Sequence, residues 1–220
     1  MLEQQRKAAA FIQNHVNWCW ATSAKIVGIE YLRRKCGEHC LSQAFSNVAQ
    51  VGVIRKDHQG LRLHVCGKYQ GNVVVDAMQQ DIVEHAKDPL KNFDGNQPEG
   101  DAGKARALRY IITGNPNSVF PEIVLVGSYL DAQDLLTSSG SLIKETTELG
   151  YPFIGNYQRQ DGTFHSVVLF PTPDFQLELY DPWDGFREKF SKTQIFKSGF
   201  LTNQGFGLIR WIQFIRPGQA

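Results

Sequence analysis

The most constraining feature of the sequence is a change of hydrophobic period near Pro121, from helix-like spacing before it to strand-length runs after it. From Trp20, the apolar positions Trp20, Ala24, Val27 and Tyr31 recur at helical intervals, and the run closes on Arg33, Arg34 and Lys35 before Gly37. Further helices are predicted over Leu41 to Gln50, Val73 to Ala86 and Gly103 to Thr113, with the Gly-rich, charged stretch Asp88 to Gly100 as a loop. Beyond Pro121, strands are predicted at Ile123 to Val126, Phe153 to Tyr157, Phe164 to Phe170, Gln176 to Tyr180 and Leu208 to Ile215. One helix, Ser141 to Leu149, interrupts them and ends at Gly150. Turn signals at Asp161-Gly162, Pro171 to Asp174 and Pro182 to Gly185 make the sheet antiparallel.

Helices first and strands afterwards specify an α+β chain. The expectation is one domain over 1–220, with a helical lobe to about residue 115, a sheet lobe from about residue 116, and a cleft between them. At 220 residues with 42% hydrophobic content, the chain has enough apolar surface for such a core. Lys and Arg number 23 against 22 Asp and Glu, a net charge of +1, which favours neither nucleic acid nor an anionic membrane as partner. No run reaches the roughly 20 apolar residues of a membrane span, and the N-terminal stretch lacks the apolar core of a secretory signal. The chain therefore reads as soluble, cytoplasmic or exported, with its compartment open.

Four cysteines, Cys19, Cys36, Cys40 and Cys66, are too few to hold a chain of this size by disulfides. Cys36, His39, Cys40, His64 and Cys66 lack the paired two-residue spacing of zinc cysteines, so no metal and no cofactor is expected, and Cys36, Cys40 and Cys66 read as structural or incidental. Cys19 differs, because it opens a predicted helix. There the helix dipole and unpaired amides favour the thiolate, the nucleophilic form; a small buried apolar role is the alternative.

Three other positions supply what a thiolate would need. Gln13, six residues upstream, can bring a side-chain amide to a developing oxyanion, together with the Cys19 main-chain N–H; it reads equally as a solvated loop residue. His165 lies in the strand-like run Phe164 to Phe170, which holds an imidazole rigidly, whether as a base or as a satisfied core histidine. Asp181 follows the next strand, where it can accept the imidazole N–H and set the tautomer, with Trp183 as a cover against water; Asp181-Pro182 is also an ordinary turn initiator. Leu63, Phe93, Tyr129 and Phe164 are pocket, core or rim residues.

Taken together, Gln13, Cys19-Trp20-Ala21, Ser23, His165 and Asp181-Pro182-Trp183 resemble the signature of papain-like cysteine peptidases. In that family a glutamine precedes the nucleophile by six positions and Trp-Ala follows it; His165 comes 146 residues after Cys19, within the usual separation. The likeness rests on short motifs between residues 13 and 183. Val16 stands where lysosomal relatives carry a disulfide cysteine. His165-Ser166-Val167-Val168-Leu169 and Asp181-Pro182-Trp183-Asp184-Gly185 are instead similar to bacterial papain-like peptidases, including plant-pathogen effectors and double-glycine leader peptidases.

The resemblance implies a two-lobed fold with the site in the cleft. It implies peptide-bond hydrolysis through a thioester on Cys19, with His165 and Asp181 completing a triad, Gln13 in the oxyanion hole, Trp20 and Trp183 in support, and a protein or peptide as substrate. An inactive peptide-binding module of the same fold, and a deamidase or acyltransferase using the same three residues, are the alternatives.

Overall fold

The computed structural model describes residues 12–13, 17–36, 54–56, 62–66, 71–74, 79–87, 100–126 and 149–216, the strands between 54 and 74 as backbone only. Among the described residues, three α-helices, α1 (Cys19–Cys36), α2 (Gln79–Ala86) and α3 (Gly100–Thr113), and a short π-helix (Gln194–Ser198) accompany ten strands. Strands β1 (Ile54–Lys56), β2 (Arg62–Cys66) and β3 (Gly71–Val74) form an antiparallel sheet in the order β1-β2-β3. The larger sheet contains β4 (Ile123–Val126), β5 (Phe153–Gln158), β6 (Phe164–Pro171), β7 (Leu177–Tyr180), β8 (Arg187–Phe190) and β10 (Gly205–Ile215) in the order β4-β10-β5-β6-β7-β8. The short β9 (Phe200–Thr202) pairs with β10. Every pairing among the described strands is antiparallel, so the fold is α+β.

Alternation along the strands divides the large sheet between two cores. Ile154, Val168, Phe170, Tyr180 and Ile215 pack with α1, α2 and α3, whereas Phe153, Val167, Leu169, Leu179 and Phe214 form the opposite core with Ile195, Phe196 and Phe200. The stripe Trp20, Ala24, Val27 and Tyr31 is wholly within the first core, and this burial holds α1 against β6 despite weak helix formers at Thr22 and Ser23. Gly28 allows α1 to approach α3 closely: a Cβ there would stand 2.8 Å from Ile111 Cγ2.

Several elements differ from the sequence expectation. The helical first half also contains the three-stranded sheet. In the run predicted as a helix from Val73 to Ala86, Val73 and Val74 instead end β3, as β-branched residues that favour extended backbone, and Gln79–Ala86 is helical. Helix α3 starts at Gly100, inside the segment assigned to a loop. Strands β8 and β9 were not expected; β8 is a sheet edge with two exposed charged residues, Glu188 and Lys189, in its four, the composition that keeps an edge from pairing further. The predicted helices Leu41 to Gln50 and Ser141 to Leu149 lie outside the described residues, apart from a turn at Leu149 and Gly150. No described helix is long and apolar enough to cross a membrane.

Candidate functional site

Cys19 is the first residue of α1, a free and partly buried thiol. The Trp18 carbonyl accepts both the main-chain N–H and the hydroxyl of Thr22, at 2.9 and 3.0 Å, which starts the helix at Cys19. The Cys19 N–H therefore belongs to the first turn, whose amides have no acceptor within the helix.

His165 is the second residue of β6 and is 2% exposed. The β6–β7 register, with Pro171 opposite Leu177 and Val168 opposite Tyr180, carries the chain back so that Asp181 leaves β7 beside His165. Asp181 is 0% exposed, and its Oδ1 lies 2.7 Å from His165 Nε2. The same oxygen accepts the Trp183 main-chain N–H at 2.8 Å. An acceptor so placed puts the proton on Nε2 and turns Nδ1 toward the thiol. Cys19 and His165 are hydrogen-bonded to each other through their side chains, so the structure brings Cys19, His165 and Asp181 together in one chain of contacts.

The electrostatics favour charge separation across this pair. Burial pushes the Cys19 thiol up, but the His165 hydrogen bond and charge, the Ser166 main-chain N–H and the Lys104 ammonium together bring it below its ordinary value. Burial pushes His165 down, while hydrogen bonds to Asp181 and Cys19 and their negative charges raise it to about 9. Each shift favours the charged form of its group, thiolate on Cys19 and imidazolium on His165.

The remaining expected residues are distributed unevenly. Gln13 donates its main-chain N–H to the Pro182 carbonyl at 2.7 Å, tying the segment before α1 to the turn that carries Asp181. Trp20 lies in the helical core, 1% exposed. Trp183 acts on Asp181 through its main chain, and its ring carries the Arg159 guanidinium 5.9 Å from the ring centre. Phe164 is 43% exposed, its ring 4.8 Å from that of Trp211. Cys40, Phe93 and Tyr129 lie outside the described residues, as do the side chains of Cys36, Leu63 and Cys66. Asp181 is also a turn initiator: Gly185 donates to its carbonyl and its own N–H reaches Phe186, both at 2.9 Å.

Three site residues escaped the sequence reading. Tyr157 pairs directly across from His165 on β5 and packs edge-on against its ring, centroids 5.4 Å apart; its position opposite His165 follows from folding the sequence about the Asp161-Gly162 turn. Asn156, opposite Ser166, accepts the Ser166 hydroxyl at 2.7 Å and follows from the same count. Lys104 is 4% exposed with its ammonium 5.5 Å from the centre of the Trp211 ring; nothing in the sequence separates it from a surface lysine. No protein-family model matches the chain, and no curated protein matches it at a significant level.

Proposed function

We propose that the chain is a papain-like cysteine peptidase that hydrolyses peptide bonds in a protein or peptide substrate. The observation that carries this reading is the hydrogen-bonded series from the Cys19 thiol through the His165 imidazole to the Asp181 carboxylate, with the thiol lowered and the imidazole raised. The family resemblance of the motifs around Cys19, His165 and Asp181, with its bacterial character, supports the same reading.

In this mechanism the Cys19 thiolate attacks the scissile carbonyl, forming a carbon–sulfur bond and an oxyanion. Gln13 and the Cys19 N–H hold the oxyanion. Collapse of the intermediate breaks the carbon–nitrogen bond as the His165 imidazolium gives its proton to the leaving amine, and a thioester remains. Neutral His165 then takes a proton from water, the hydroxide adds to the thioester, and the acid product leaves as the thiolate returns. Asp181 keeps the imidazole in the tautomer that both steps use.

The test is incubation of the protein and its Cys19→Ala variant with an unbiased peptide library under reducing conditions, read as new termini by mass spectrometry. Cleavage that disappears with Cys19 supports the proposal. Intact peptides together with slow, equal alkylation of all four cysteines would leave an inactive peptide-binding module. A mass gain of about one dalton without new termini would mean deamidation instead, because the same three residues serve any acyl transfer.

A further inference from the structure

The peptide group that joins Ile12 to Gln13 is held at both of its polar ends. Its N–H donates to the Pro182 carbonyl at 2.7 Å. Its carbonyl accepts the side-chain amide of Gln79, with Nε2 at 2.8 Å. A carbonyl only accepts, so the end of the Gln79 amide that faces it is the NH2 group. The first bond reaches the turn that carries Asp181, and the second reaches the first residue of α2. The Ile12 side chain meets the same turn: a Cβ at Gly185 would stand 3.1 Å from Ile12 Cδ1, and Gly185 adopts a φ of 75° that suits glycine.

Gln79 is firmly mounted for this contact. It is 4% exposed, and Ile82, Val83 and Ala86 bury α2 in the core shared with α1 and α3. Ordering a long polar side chain inside the protein costs rotamer freedom and hydration, and Gln79 turns its amide on the one peptide group that precedes Gln13. Because a peptide group is planar, fixing its N–H and its carbonyl together fixes the plane, and with it the direction in which the chain enters the Gln13 Cα. The bond to Pro182 alone would leave the plane free to turn about that bond.

An oxyanion donor works only if it stands about 2.7–3.1 Å from the place where negative charge develops, and stands there before the charge appears. A glutamine side chain turns about several bonds, so the main chain that bears it must be set within about half an ångström for its amide to reach that point each time. We propose that Gln79 is a positioning residue for the reaction at Cys19: by gripping the Ile12 carbonyl, it sets the main chain of Gln13 so that the Gln13 amide meets the oxyanion. The inference rests on the acyl-transfer reading of Cys19 and on Gln13 as an oxyanion donor. It extends the site from the Asp181 turn to α2, which carries none of the motifs around Cys19, His165 and Asp181.

The test compares two reactions at the same sulfur. Acetylation of Cys19 by p-nitrophenyl acetate forms a carbon–sulfur bond through an oxyanion and expels p-nitrophenolate, whereas alkylation by iodoacetamide displaces iodide without an oxyanion. Both products are counted at early times on the Cys19 peptide by mass spectrometry. The proteins are the full-length parent, Gln79→Met, Gln79→Glu, Gln13→Ala and the Gln13→Ala/Gln79→Met double variant. Gln79→Met should lower the ratio of acetylation to alkylation about tenfold, a part of the roughly hundredfold to thousandfold that loss of an oxyanion donor costs. Gln79→Glu, whose carboxylate cannot donate, should lower it at least as far, and either variant that keeps the parent's circular dichroism suffices. In the Gln13→Ala background, Gln79→Met should lower the ratio no further. A ratio equal to the parent's in a folded Gln79 variant, or the same loss with and without the Gln13 side chain, overturns the proposal; a residue that only stabilises the fold changes both reactions together. A parental ratio in Gln13→Ala would overturn the oxyanion role of Gln13 and the proposal with it. Intact peptides in the library experiment would count against peptide hydrolysis alone, since the acetyl ester requires no peptide.

Discussion

Asp181 Oδ1 accepts two hydrogen bonds at once, from His165 Nε2 at 2.7 Å and from the Trp183 main chain at 2.8 Å, inside a region where Asp181 and His165 are almost fully enclosed. The main-chain bond fixes the oxygen that in turn fixes the imidazole. The turn function and the orienting function of Asp181 are thus one arrangement, and the β6–β7 register supplies the separation of 16 residues that it requires.

That arrangement distinguishes Asp181→Asn from Asp181→Ala. With the Trp183 N–H still selecting an oxygen, an asparagine carbonyl can keep accepting the Nε2 proton, so the tautomer survives but the negative charge is lost. Activity should fall less in Asp181→Asn than in Asp181→Ala, where losses on the order of a hundredfold or more are expected. The charge and hydrogen bond of Asp181 both raise His165, so the alkaline limb of the pH–rate profile should move to lower pH in Asp181→Asn. An unmoved alkaline limb would contradict this assignment.

The pH dependence of the thiol has a definite sign. The Cys19 pKa is lowered, so the thiolate is lost only as pH falls through that depressed value; the His165 pKa is raised, so the imidazolium is lost as pH rises through about 9. The ion pair occupies the window between. Activity should rise on the acid side with Cys19 ionisation and fall near pH 9 with loss of the proton donor. In His165→Ala, burial is left without its main opponent, and the pH at which iodoacetamide labels Cys19 at half its maximal rate should move upward. Labelling that titrates as in the parent protein would remove His165 from the site.

Gln13 and Cys19 should differ in degree. Cys19→Ala removes the bond-forming atom and should abolish turnover by several orders of magnitude, whereas Gln13→Ala removes one of two oxyanion donors and should cost roughly a hundredfold to a thousandfold in kcat. Because the main chain of Gln13 is tied to Pro182, its side chain can be shortened without releasing the segment. A folded Gln13→Ala protein as inactive as Cys19→Ala would show that this residue does more than hold an oxyanion.

Much of this was legible in the sequence where a single period dominates. The α1 stripe is buried at each of its four apolar positions, and β4, β5, β6 and β7 fall within two residues of their apolar runs, because burial fixes both the period and the boundaries. Strand β10 begins at Gly205, ahead of the Leu208 to Ile215 run, since Phe206 and Gly207 are held by backbone pairing to β9 rather than by burial of an apolar series. Strand β2 alternates as Arg62-Leu63-His64-Val65-Cys66, a period-two signal too short to outweigh the helical texture around it. Within the site, the residues in regular elements could be placed by counting from turns, as Tyr157 can be. Lys104 could not, because its effect on Cys19 depends on the packing of α3 against α1, elements distant in the chain.

The contact between α1 and α3 makes a final prediction about stability. Alanine for glycine inside a helix ordinarily stabilises by about 1 kcal/mol, which would favour Gly28→Ala. Here the added Cβ would meet Ile111 Cγ2 at 2.8 Å and Ile111 Cβ at 3.3 Å, and Ile111 is fully buried on a β-branched rotamer with little freedom to yield. Overpacking of this kind costs about 1–3 kcal/mol, so the balance is a net loss. Gly28→Ala should lower the midpoint of urea unfolding without changing its slope. Replacing Ile111 by Leu removes the offending Cγ2, so Gly28→Ala should be less destabilising in an Ile111→Leu background than in the parent. Equal losses in both backgrounds would place the strain elsewhere than in the α1–α3 contact, and a stabilised Gly28→Ala protein would mean that the helices separate at little cost.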